Sequence, residues 1–170
     1  MAKIILSVVR PERYFRTVIS ILRSKTRNKK VIYVTTNKPY NHIVNELKKA
    51  KIQHSKFFFI DCISQYVGIK KGEEKNCLYV ESPSNLTAIG VAIDTSTRNI
   101  SGKPILIIDS LSTLLIHNSA NMIGKFSNFI INKMRSSNVD TVILLLESDM
   151  DKEIIKQVES VADEMKKYGS

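Results

Sequence analysis

Short apolar runs alternate with stretches whose apolar residues recur at helical spacing, and this pattern constrains the fold more than any other feature of the sequence. The runs are Ile4 to Val9 (broken only by Ser7), Val31 to Val34, Phe57 to Ile60, Cys77 to Val80, Ile105 to Ile108 and Val142 to Leu146. A strand covered on both faces reads as an unbroken apolar run, whereas a half-exposed strand alternates. Helix-length stretches lie between the runs. That order predicts parallel βαβ units and an α/β fold, a three-layer α/β/α sandwich with a mostly parallel sheet.

The predicted helices have recognisable starts. Pro11 opens the first, with Glu12 at its positive end and Tyr14, Phe15, Val18, Ile19 and Leu22 as its apolar stripe. Pro39 opens the second; Ile43, Val44 and Leu47 face inward, and Lys48, Lys49 and Lys51 suit its negative end. Residues 64–76, with Gly68, Gly72 and a charged run, read as a surface loop. Ser82 is the expected N-cap of the third helix, followed by Pro83, then Leu86, Ile89 and Ile93. The clearest helix covers 119–136, and Asp109 leads to it through an expected loop. A final helix is predicted over 151–167, with Ile154, Ile155, Val158, Val161, Ala162 and Met165 on one face. With no repeat and no internal linker, residues 1–170 read as one domain.

Composition narrows the class. A chain of 170 residues buries about two thirds of its unfolded surface and needs no disulfide or metal staple. Cys62 and Cys77 form no CxxC pair and have no histidine at metal spacing, which suits a reduced, cytoplasmic protein. The run after Lys3 is too short for a secretory leader, and no stretch reaches the roughly 20 apolar residues of a membrane span. The net charge is +10, concentrated in the first third: Arg10, Arg13, Arg16, Arg23, Lys25, Arg27, Lys29, Lys30, Lys48, Lys49 and Lys51. Such a face suits nucleic acid, an acidic protein or another polyanion, or else is simply solvated. No zinc finger, helix-turn-helix or aromatic RNA-binding motif accompanies it.

Ligands in open parallel sheets bind beyond the carboxyl ends of the strands. There the run Ile105 to Ile108 ends in Asp109-Ser110-Leu111-Ser112, and Tyr33-Val34-Thr35-Thr36-Asn37-Lys38-Pro39 leads from the second strand into its helix. Val161-Ala162-Asp163 lies near the end. In order and spacing the chain resembles the KaiC branch of the RecA-like ATPases, including archaeal proteins of that type, over about residues 3–165. The resemblance implies a Walker B role for Asp109, side-by-side assembly with a protein partner or as a homo-oligomer, and ATP with magnesium in active relatives.

The sequence departs from active relatives at two points. Their first strand leads into GxxxxGK[ST], whose backbone N–H groups and lysine wrap the phosphates. Here Ser7-Val8-Val9-Arg10-Pro11-Glu12-Arg13-Tyr14-Phe15-Arg16-Thr17 contains neither glycine nor lysine. Active relatives also carry a glutamate after the second strand, where this chain has Thr35, Thr36 and Asn37, none of which takes a proton near neutral pH. The expectation is a vestigial nucleotide site formed by Arg10, Arg13, Asp109 and Ser110, no bound cofactor and no dedicated metal site. Asp109 would bond to nearby backbone, Ser110 or Ser112. A wide cradle of N–H groups at 7–17 would restore nucleotide binding; a tight turn filled by Arg10 or Tyr14 would close it.

The other chemistry-bearing residues are scattered. His42, His54 and His117 share no motif, Ser110 has no G-x-S-x-G setting, and Asp61, Glu147, Asp149 and Asp151 are carboxylates near strand ends. The leading expectation is therefore a non-catalytic RecA/KaiC-like module acting as a regulatory or scaffolding partner. The alternatives are a nucleotide-binding protein or slow ATPase with a divergent loop at 8–17, and a nucleic-acid-binding module using the basic N-terminal third. KaiC-like domains usually continue with more strands after the helix that holds Asp163, so the resemblance implies either a minimal domain or a sheet trimmed at one edge.

Overall fold

A computed structural model describes residues 1–169. Its strands are β1 (Ile4–Val9), β2 (Val31–Thr35), β3 (Phe57–Asp61), β4 (Cys77–Tyr79), β5 (Ile105–Asp109), β6 (Asp140–Leu146) and β7 (Glu164–Lys167). They form one sheet in the order β4-β3-β2-β5-β6-β1-β7, and every neighbouring pair is parallel. The helices are α1 (Tyr14–Lys25), α2 (Tyr40–Lys49), α3 (Leu86–Asn99), α4 (Leu111–His117), α5 (Ala120–Ser136) and α6 (Glu153–Val161).

Both sheet faces are covered, which explains the unbroken apolar runs. Every residue of β1, β2 and β5 is buried. Successive side chains point to opposite faces. In β2, Val31 and Tyr33 pack with α1 and α2, through Val18, Ile21, Leu22, Ile43 and Leu47. Ile32 and Val34 pack on the other side with α3, α4, α5 and α6, through Ile89, Leu114, Ile130 and Ile155. Full burial of each such side chain stabilises the fold by about 1.5–3 kcal/mol. Gly124 lets α5 approach α6: a Cβ there would lie 3.1 Å from Ile154 Cδ1.

Three local expectations are corrected. The predicted helix over 151–167 is really α6 followed by strand β7. Asp163 breaks the helix: its N–H donates to the Ile4 carbonyl (2.9 Å), and its carboxylate accepts the Ile4 N–H (2.7 Å). Arg135 holds that carboxylate at 3.1 Å and donates to the Val161 carbonyl at 2.6 Å. Ile5 to Val8 then pair with Glu164 to Lys167, so a strand rich in charge covers the edge of β1, which one of the two readings expected to be trimmed. Val161, Ala162 and Met165 do pack on the core, and their spacing imitated one continuous helix.

The expected loop after Asp109 contains helix α4, capped by the Ser110 hydroxyl, which accepts from Thr113 N–H (3.2 Å). The third helix starts later than predicted. Its cap is Asn85, accepting from Ala88 N–H (3.0 Å), while Ser82 closes a turn onto Ser84 N–H (3.1 Å). A hydroxyl before proline met the N-cap rule, but an asparagine three residues on fills the role.

Candidate functional site

Asp109 ends β5 at the carboxyl edge of the sheet, beside the end of β2. Pro11 to Arg13 form one turn of 3-10 helix between β1 and α1. Within it Arg13 N–H donates to the Arg10 carbonyl (3.2 Å) and Tyr14 N–H donates to the Pro11 carbonyl. Pro11 has no N–H to offer. The turn is therefore tight, and its exit throws the Tyr14 side chain inward.

The Tyr14 hydroxyl donates to one oxygen of Asp109, and the Tyr33 hydroxyl, rising from β2, donates to the other. Burial pushes the Asp109 carboxyl above its usual range; the two phenol hydrogen bonds and the charge of Lys38 oppose that shift. Burial also raises both phenols far above their usual value, and the Asp109 charge raises them further. At neutral pH both tyrosines are thus protonated donors. This replaces the expected Asp109 contacts to backbone, Ser110 or Ser112. Ser112 instead accepts from Leu146 N–H (2.8 Å), fastening α4 to the end of β6.

Thr36 stands just after β2. Its N–H donates to the Asp109 carbonyl (2.9 Å), and its hydroxyl donates to the same oxygen (3.0 Å) while accepting from Ser110 N–H (3.0 Å). The Thr35 hydroxyl donates to the Lys38 carbonyl (2.5 Å). Thr36 holds the ends of β2 and β5 together, and Thr35 closes the turn that follows β2.

Arg10 and Arg13, expected beside Asp109, are exposed on its rim. Arg10 pairs with Glu147 just past β6 (3.3 Å). Arg13 and Arg16 border an open depression of about 540 Å³, shared with Phe15 and Lys38. The Lys38 ammonium lies 4.7 Å over the Phe15 ring, a cation–π contact.

The remaining carboxylates do not gather. Asp61, wholly buried, accepts from Tyr40 N–H (2.8 Å), Ile63 N–H (2.9 Å), Ser64 N–H (2.9 Å) and the Ser64 hydroxyl (2.6 Å), so it ties β3 to α2. Asp149 pairs with Lys152 at 2.6 Å. Among the described residues no three His, Cys, Asp or Glu side chains are placed to hold a metal ion. His42 lies edge-on to Phe15 and His117 edge-on to Tyr66, far apart in the fold.

Sequence reasoning named Asp109 and, as a possible plug, Tyr14. It missed Tyr33. One signal was available: a phenol inside a fully apolar buried strand needs a hydrogen-bond partner.

The architecture is a three-layer α/β fold, a parallel sheet with helices on both faces and a carboxylate at the tip of a central strand, and it is similar to that of a solved KaiC-like protein structure. One such solved structure is a KaiC-like protein from the hyperthermophilic archaeon Pyrococcus horikoshii OT3. The two share 13% identity and a TM-score of 0.65, over 96% of this chain and 69% of that one. No protein-family model matches the chain, and no curated protein matches it. Among the described residues no helix is long and apolar enough to cross a membrane.

Proposed function

We propose that residues 1–170 form a single RecA/KaiC-like domain that does not turn over ATP and serves as a regulatory or scaffolding protein-interaction module. The observation that carries this reading is the Tyr14–Asp109–Tyr33 contact. A magnesium ion held by Asp109 would have to displace phenol donors from a buried carboxylate. A triphosphate would need inward N–H groups, yet those of Arg13 and Tyr14 point back into their own turn. The residues present therefore do not fit magnesium-bound ATP held in a phosphate loop. Nor is a base in place, since Thr35 and Thr36 are engaged with backbone.

Protein contact has its own support. Val91, Met122 and Phe129 expose apolar surface along α3 and α5, the kind of surface that protein partners cover. The competing reading, a nucleotide-binding protein with a divergent loop, draws on the depression at Arg13, Arg16 and Lys38.

A steady-state assay of phosphate release from ATP with magnesium separates the two. The proposal expects no release above a protein-free control. Magnesium-dependent turnover that Asp109→Ala abolishes would refute it.

A further inference from the structure

The charge of this chain is segregated by layer. Residues 14–60 contain eleven Lys and Arg and one acid, Glu46, while the rest of the chain holds fifteen of each and balances to zero. Those residues build α1, β2, α2 and β3, and α1 with α2 forms the whole helical cover of one sheet face. The segment that builds this layer thus carries the entire excess of +10.

Most of these cations lack a counter-charge. Lys29 pairs with Asp140 (2.6 Å) and Lys49 with Glu46 (2.9 Å). The other nine have no ion-pair partner among the described residues. They are thickest where α1 and α2 end, at the sheet edge opposite Asp109. There Arg23 donates to the Ala50 carbonyl (2.7 Å), and Lys56 donates to the carbonyls of Thr26 and Arg27. These bonds clasp the two helix ends into one ridge, on which Arg27, Lys48 and Lys51 are exposed.

The chemistry of the layer selects among polyanions. Protein interfaces have an apolar core and few lysines. Interfaces with a phosphate backbone are polar and strongly positive. No Phe, Tyr or large aliphatic residue of 14–60 is exposed, His42 being the one exposed ring; the exposed large apolar residues of the chain lie elsewhere, at Tyr66, Val91, Ile116, Met122 and Phe129 among others. A single exposed imidazole, held edge-on to Phe15, gives the layer no run of rings for stacking successive unpaired bases, which single-strand binders use. We infer that the α1–α2 layer is a sequence-independent docking surface for the phosphate backbone of duplex nucleic acid. This inference is independent of the Asp109 site, which lies at the other sheet edge.

Fluorescence anisotropy of a labelled mixed-sequence DNA duplex, titrated with the full chain over a series of salt concentrations, tests it. Binding is expected at low salt, with log K falling linearly against log salt by about 0.9 per phosphate neutralised. The variant Arg27→Glu/Lys48→Glu/Lys51→Glu should bind at least about tenfold more weakly, its slope reduced by about one for each phosphate it no longer neutralises. Arg27→Ala/Lys48→Ala should show a smaller loss in the same direction, which guards against misfolding of the triple variant. Lys125→Glu/Lys156→Glu, on the neutral layer, should leave binding unchanged. The inference is overturned by no duplex binding at low salt, or by equal losses in the neutral-layer variant. It is also overturned if poly-glutamate binds as tightly as duplex and the same substitutions abolish that binding, which would assign the layer to an acidic protein.

Discussion

The hydroxyl of Tyr14, at the start of α1, donates to the carboxylate of Asp109 at the tip of β5 and so joins the first helix to a central strand. Removing one donor from a buried charged acceptor costs about 1–3 kcal/mol, because the acceptor keeps its desolvation penalty. Tyr14→Phe should therefore lower stability by about that amount, read as a fall in the urea midpoint with an unchanged slope. The loss should grow as pH rises and Asp109 gives up its proton.

Asp109 also sets a pH dependence. Burial raises its carboxyl above the usual range, so the folded state holds that proton more tightly than the unfolded chain. Between the ordinary and the raised value, stability falls as pH rises. Asp163 acts in the opposite sense: hydrogen bonds from Ile4 N–H and Arg135 hold it below its usual range, so its contribution is present at neutral pH and lost in acid. Asp109→Asn should thus gain on the parent as pH rises from acid to neutral, in paired denaturation curves. A constant difference would show that Asp109 does not titrate in that window.

The two thiols should be inert while the chain is folded. Both cysteines are buried and free. Burial pushes Cys77 up to about 12 and Cys62 well above its ordinary value, with the nearby Asp61 charge adding to both. Thiolate is the reactive form. A thiol-specific chromogenic reagent at pH 8 should modify the native chain far more slowly than the urea-unfolded chain. Equal rates would place at least one cysteine at the surface.

Asp163 pins the last strand. It takes the Ile4 N–H at 2.7 Å and the Arg135 guanidinium at 3.1 Å just before β7 begins. Asp163→Ala should release β7 and remove the hydrogen-exchange protection of its amides, including Tyr168 N–H, which donates to the Val8 carbonyl (2.9 Å). The bared edge of β1 should then promote self-association, visible in light scattering. Retained protection would mean that the ladder with β1 holds β7 without this clamp.

The sequence revealed the layers because six strands are apolar runs, five of them almost wholly buried, and the helices between them keep one apolar face. It hid β7, since Glu164 to Lys167 is a short, half-exposed edge whose one apolar residue, Met165, falls in phase with α6. It hid α4 as well, a helix of seven residues that follows its strand after a single capping residue, Ser110. At the site, Asp109 was legible from its place at a strand end. The phenol pair was not, because Tyr14 and Tyr33 are distant in sequence and each also fits an apolar position. Only the folded turn at Pro11 to Arg13 shows which way Tyr14 points.

The central claim is that the turn at residues 10–14 and the phenol-bound Asp109 leave no seat for magnesium-bound ATP. Isothermal titration of the full chain with ATP, with and without magnesium, measures this most directly. The expected result is no magnesium-dependent heat, in the native chain and in Asp109→Ala alike. A saturable, magnesium-dependent isotherm that Asp109→Ala removes would contradict the claim.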